Sequence, residues 1–149
     1  MELSLTPLIS LFLGGLVGAL IAVGSILSSD RVSGNAALAA ALSAGFATYS
    51  GITIWSEGLL PVWENHTSNM WGVQVWWDLL FALGIGLFLI APRARAQGMN
   101  LPLWALFVVA TASIGLLAMC ARLFWLERES AASNAVNSAQ PTEPAPKPA

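Results

Sequence analysis

Charged side chains are missing from four stretches of the chain: Leu8 to Leu27, Val32 to Ser56, Leu79 to Pro92 and Asn100 to Ala121. An uninterrupted apolar run of about 18 residues is long enough to cross the hydrocarbon core of a bilayer as a helix. With their flanks, these stretches predict four spans, at roughly 6–27, 33–55, 71–91 and 101–125. The fold class expected is therefore all-α, an integral membrane four-helix bundle. The second span is the least apolar, because Ser33, Gly34, Asn35 and a run of alanines dilute it, and it needs its neighbours to insert.

Helix punctuation agrees with these limits. Thr6 followed by Pro7 places a capping hydroxyl ahead of a proline whose missing N–H costs nothing in the first turn. Asn100, Leu101 and Pro102 repeat the device for the fourth span. Pro92 disfavours helical geometry at Ala91, which predicts the end of the third span there. A cleaved signal peptide competes for the first span, but only Glu2 is charged ahead of it and the apolar run is too long, so a membrane helix is expected. After Glu129 the chain turns to Ser, Ala and Asn and then to Pro141, Pro144, Pro146 and Pro148. Residues 130–149 are read as a disordered tail.

Composition narrows the class further. Hydrophobic residues make up 56% of the 149 and charged residues 9%, against about 25% charged in a soluble domain. Six basic and eight acidic residues give a net charge of -2, so the basic surface that nucleic acid requires is missing. One cysteine and one histidine exclude an internal disulfide, a CxxC redox pair and paired histidine ligands to haem. No cofactor is expected, and the bilayer itself is the first partner.

Orientation follows from the Lys and Arg in short loops. Arg31 lies between spans one and two, and Arg93 with Arg95 between three and four, which assigns both loops to the cytoplasm. The connection from Ser56 to Met70 has Glu57 and Glu64 but no basic residue, as suits the other side. With four spans, both termini then lie outside, although Arg122, Arg128 and Lys147 count for an inside C-terminus. Tryptophan prefers the headgroup level. Trp55, Trp63, Trp71, Trp76, Trp77 and Trp125 fall at the expected outer face, and Trp104 at the inner one. Leu59 to Trp63, too short to span, is expected to lie along the interface.

Small residues mark helix-packing faces. Gly14, Gly18 and Ala22 recur every four positions in the first span, and Ala37, Ala41 and Gly45 in the second, a rhythm that lets backbones approach closely. Either the two helices pack on each other there, or the faces receive another subunit.

Catalytic chemistry is sparse. Glu57, Glu64, His66 and Asp78 lie toward the outer side without a recognised metal-ligand spacing, and His66 has no nucleophile elbow to serve. Asn65-His66-Thr67 is a formal glycosylation acceptor that matters only in a eukaryotic secretory membrane. Cys120 reads as a small buried hydrophobe. Quinone-linked thiol oxidoreductases need cysteine pairs, and four-helix multidrug exporters need a carboxylate within the first helix; neither is present.

Asp78 is the one acidic residue inside a span. Counting at 1.5 Å per residue from Ala91 puts it about 20 Å from the cytoplasmic face of a core about 30 Å thick. An ionisable group at that depth is costly without partners and is a functional candidate by default. The same count brings Thr48, Tyr49 and Ser113 close to its level, so a polar layer of these residues is expected, with Arg122 as second-choice counter-ion. The competing reading is a solvated carboxylate among the outer headgroups.

The stretch from Trp76 to Glu129 carries Asp78-Leu79-Leu80, Arg93-x-Arg95-x-Gln97-Gly98-Met99 and Leu126-Glu127-Arg128-Glu129. It resembles a family of small bacterial integral membrane proteins known only as a domain of unknown function. The resemblance covers about a third of the chain and implies a bacterial inner-membrane location without an activity. The function expected is that of a non-enzymatic accessory or assembly subunit that packs against a membrane partner or itself. The alternative is a small-molecule or lipid site, for transport or lipid modification, built around Asp78.

Overall fold

A computed structural model of the chain describes residues 5–28 and 34–139. These form six helices: α1 (Leu5–Leu27), α2 (Ala36–Glu57), α3 (Leu60–Thr67), α4 (Met70–Ala96), α5 (Leu101–Thr111) and α6 (Ser113–Ala139). Among the described residues there is no strand, and three helices, α1, α2 and α4, are long and apolar enough to cross a membrane. Arg31 and residues 140–149 lie outside the described residues.

Asparagine sets three of the helix starts. The side-chain oxygens of Asn35, Asn69 and Asn100 accept from the amides of Leu38 at 3.1 Å, Gly72 at 2.9 Å and Leu103 at 3.3 Å. Each thereby satisfies one of the orphan donors of a first turn. The Asn100-Leu101-Pro102 signal thus marks the start of α5, whereas Thr6 already lies within α1. Glycine closes α2: Gly58 at φ 82° donates its amide to the Ile54 carbonyl at 2.9 Å, in a left-handed conformation that costs a residue without Cβ little. Leu59 to Trp63 belongs to the approach and first half of the short helix α3, which packs on the start of α4.

Two expected boundaries move. The third helix does not end at Ala91 but continues through Pro92 to Ala96. Proline forfeits one ladder bond there, a loss of about 3 kcal/mol in an isolated helix. Burial of Ile90 and Ala94 on either side holds the helix together. The last helix likewise runs to Ala139, so residues 130–139, expected to be disordered, are helical. Ala131, Ala132 and Ala135 favour helix strongly, and extending an existing helix avoids the unfavourable nucleation step.

The largest difference lies in the expected fourth span. It is broken at Ala112, which adopts φ 52° and ψ -123°, a region that L-residues rarely enter. The chain reverses there. An ideal Cβ on Gly115 would stand 2.8 Å from Val108 Cα and 2.9 Å from the Phe107 carbonyl oxygen; in a continuous helix residues 108 and 115 would be about 10 Å apart.

Contacts along α6 fix its direction. Gly86 of α4 faces Leu116 near the start of α6, and Arg93 pairs with Glu127 farther along, so α6 runs parallel to α4. Gly34, just ahead of α2, faces Phe124, and Ser43 donates to the Ile114 carbonyl at 3.0 Å, so α6 runs antiparallel to α2. Helices α5 and α6 are consequently a hairpin that starts and finishes at the Arg93 end. With 11 residues, α5 rises about 16 Å, half the thickness of a hydrocarbon core.

The core sits inside this hairpin and the end of α4. Ile90, Ala94, Met99, Val108, Met119 and Leu123 form one buried cluster, with Leu83, Leu87, Leu101 and Trp104 packed around it. Met99 enters the cluster because Gly98, at φ 69°, turns the chain back after α4, and the Met99 amide donates to the Ala94 carbonyl at 3.0 Å. The apolar side chains of α1 stay largely exposed, among them Phe12 and Ile26 at 72% each. Exposed apolar surface on this scale belongs to lipid or to another protein rather than to water.

Candidate functional site

Helices α1 and α2, which share small residues at helical spacing, do not close on each other. They flank a cleft of about 680 Å³ lined on one side by Gly14, Gly18 and Ala22, on the other by Ala41, Gly45 and Tyr49, and floored by Ser113 and Leu117 of α6. Gly18 comes nearest to bridging it, since a Cβ there would meet Leu42 Cδ2 at 3.7 Å. Gly14 and Gly45 face open space. Ala37 belongs to the same four-residue rhythm, yet it is exposed and does not line the cleft. The buried face of α2 is instead Ala39 and Ser43, which points to α6.

The cleft is mainly apolar, with hydroxyls at Tyr49 and Ser113. Tyr49 stacks on Phe46, ring centroids 6.4 Å apart. Two members of the expected polar layer thus share this cleft. The others do not join them. Thr48 donates its hydroxyl to the Ala44 carbonyl at 2.9 Å, one turn back on its own helix. This local bond is the usual way for threonine to satisfy itself in a helix, and it removes Thr48 as a donor to Asp78. Arg122 lies over Trp125, its guanidinium carbon 4.4 Å from the ring centroid, a cation–π geometry.

Asp78 itself is exposed, with no hydrogen bond or ion pair to any described residue. The expected layer is therefore corrected. The reason is the hairpin: Ser113 opens a helix that returns toward the Arg93 end, so α6 offers Asp78 no polar group at its own level. The inward stripe of α4 is Leu79, Leu83, Gly86, Leu87, Ile90 and Ala94, and Asp78 lies about 100° round the helix from Leu79.

Aromatic residues gather at both ends. Trp55, Trp63 and Trp71 are 93%, 72% and 75% exposed around the α2–α3–α4 turns. Trp76 packs edge-on against His66 at 5.1 Å, and Trp77 against Phe81 at 6.0 Å. His66 Nδ1 donates to the Val62 carbonyl at 2.6 Å, which binds the ring to its own helix. Among the described residues, no three of His, Cys, Asp and Glu come together as metal ligands. The sequence puts Trp125 in the outer group, but it lies two residues from Glu127, the partner of Arg93, and so shares the end occupied by Trp104.

That end carries the polar network that sequence reading did not foresee. Arg93 pairs with Glu127, its guanidinium carbon sits 5.6 Å from the Phe124 ring centroid, and Ser130 donates to Gln97 Oε1 at 3.0 Å. The signal for it was the presence of Arg93, Gln97 and Glu127 together in the motifs of the C-terminal stretch. Comparison of the chain with protein-family models, curated proteins and solved structures finds no match.

Proposed function

We propose that this protein is a non-enzymatic accessory or assembly subunit of a membrane complex, in the bacterial inner membrane if the resemblance of its C-terminal stretch is followed. The observation that carries this reading is the open cleft between α1 and α2. Close-approach faces on two membrane helices are helix-association surfaces, and here they remain unfilled within the chain. Purification in a mild detergent tests the proposal. The expected product is a particle larger than one chain, and Gly45→Leu, which projects a side chain into the cleft, should reduce it toward monomer while leaving the α4–α6 core folded. A monodisperse monomer with no co-purifying protein would refute the reading.

The hairpin also supports a revised orientation. If α1, α2 and α4 make the crossings and the Arg93 end faces the cytoplasm, the N-terminus lies outside and the C-terminal part of α6 inside, rather than both termini outside. Among the described residues, Arg93, Arg95, Arg122 and Arg128 then all lie toward one side, in keeping with the bias of cytoplasmic loops for basic residues, and the conflict that four spans create is eased.

A further inference from the structure

Asp78 lies on the outward stripe of α4. Stepping by three or four residues, that stripe runs Trp71, Val75, Asp78, Ala82, Ile85 and Leu89, all exposed. Asp78 is the only charged residue from Glu64 to Arg93, those two excluded. It precedes Arg93 by 15 positions, about 22 Å along the helix. With Arg93 at the headgroups, this is about 8 Å inside the outer boundary of a hydrocarbon core about 30 Å thick, just below the outer tryptophans. Apolar side chains on such a stripe can face lipid at no cost, but a carboxylate cannot. The stripe therefore needs a cover that brings a hydrogen-bond donor or positive charge to that depth.

The described arginines of a second copy do not supply a charge there. Two copies meeting through α4 in the same orientation would set their Asp78 carboxylates against each other, a like-charge contact. The described arginines of that copy are also at the wrong level. Leu116 is opposite Gly86 and Glu127 opposite Arg93, so Arg122 stands near residue 90, about 18 Å from the level of Asp78. Arg93 and Arg95 are farther still.

Resting on the assembly reading above, we propose that the Asp78 stripe of α4 receives a membrane helix of a different protein, one that carries a Lys or Arg about 22 Å from the Arg93 end. Charge complementarity selects the partner, while Val75, Ala82 and Ile85 provide the apolar contact around the pair. Desolvated by the surrounding helices, a paired carboxylate and cation hold each other where either alone would be expelled.

The test uses the full chain in phosphatidylcholine vesicles, dye-labelled at its C-terminal residue, with synthetic Leu/Ala transmembrane peptides carrying an acceptor dye. One peptide has a single Lys at the depth of Asp78, and its control has Leu there. Energy transfer should show at least a five-fold preference for the Lys peptide, and Asp78→Asn should abolish that preference without changing binding of the Leu peptide. Equal binding of both peptides, or a preference that survives in Asp78→Asn, would overturn the inference. So would self-transfer between two labelled copies that strengthens in Asp78→Asn, since it would make the stripe a homodimer face. The assembly reading is separated by the detergent experiment: a complex whose size is unchanged by Asp78→Asn keeps that reading and rejects this one.

Discussion

Arg93 grips Glu127 through two parallel hydrogen bonds, Nε to Oε1 at 2.8 Å and Nη2 to Oε2 at 2.7 Å, joining positions 34 apart in the chain. The pair closes the end of the hairpin at which α4 finishes and from which α5 departs. Glu127 is 16% exposed and Arg93 42%, so the interaction is partly shielded, and its two-point geometry is stronger than that of a single surface contact. A double-mutant cycle with Arg93→Ala and Glu127→Ala, followed by SDS-induced unfolding, should give a coupling of about 1 kcal/mol. Arg93→Lys should recover less than half of it, because an ammonium cannot reproduce the planar fork. Additive single substitutions would show that the bridge contributes nothing to stability.

The same pair decides topology, because Glu127 can reach Arg93 only if α6 returns to the end from which α5 started. In a Cys120→Ala background, cysteines at Gln97 and Asn137 should react with an impermeant thiol reagent from the same side, and cysteine at Ser68 from the opposite one. Modification of Asn137 and Ser68 from the same side would restore the four-span arrangement and remove the hairpin.

Ala112 is where that reversal is enforced. At φ 52° its Cβ crowds the backbone, a strain of about 1–2 kcal/mol for an L-residue. Ala112→Gly should therefore raise stability by up to about 1 kcal/mol despite the greater freedom of glycine in the unfolded chain. Ala112→Val should lower it by more than that, since a β-branched side chain tolerates this conformation least. A stability order of Val above Gly, measured in mixed micelles, would mean that α5 and α6 form a continuous helix.

Much of this architecture was legible as hydropathy. The charge-free runs located α1, α2, α4 and the start of α5, because exclusion of charge from hydrocarbon acts on each residue independently of its neighbours. The reversal at Ala112 was hidden for the same reason: Thr111, Ala112 and Ser113 are small and nearly neutral in hydropathy, so a break inside the apolar run reads like a continuing span. Continuity of the helix through Pro92 depended on tertiary burial of Ile90 and Ala94. At the candidate site, Gly14, Gly18, Ala22, Ala41 and Gly45 were visible by their spacing, and the cleft they line was not, since spacing specifies that backbones can approach but not that they do. Asp78 was singled out as a charge within an apolar helix, and it lies within α4. Its expected neighbours were counted along a helix that in fact turns back.

Glycines at two places on these helices should respond in opposite ways to the same methyl group. At Gly72, in the first turn of α4, a Cβ would overlap the backbone carbonyl of Asn65 and approach His66 Cα. Backbone atoms cannot rotate away, so α3 must lift from α4. The gain in helix propensity, about 1 kcal/mol for Gly→Ala, is then outweighed by an overpacking cost of about 1–3 kcal/mol. At Gly45 nothing lies within 4 Å of the added carbon, and the propensity gain should appear undiminished in the isolated chain. Hydrogen exchange makes the comparison direct: Gly72→Ala should accelerate exchange of the α3 amides and loosen the His66–Trp76 contact, while Gly45→Ala should slow exchange in α2. Unchanged protection of α3 in Gly72→Ala would show that the close approach of Gly72 to Asn65 does not hold α3 on α4.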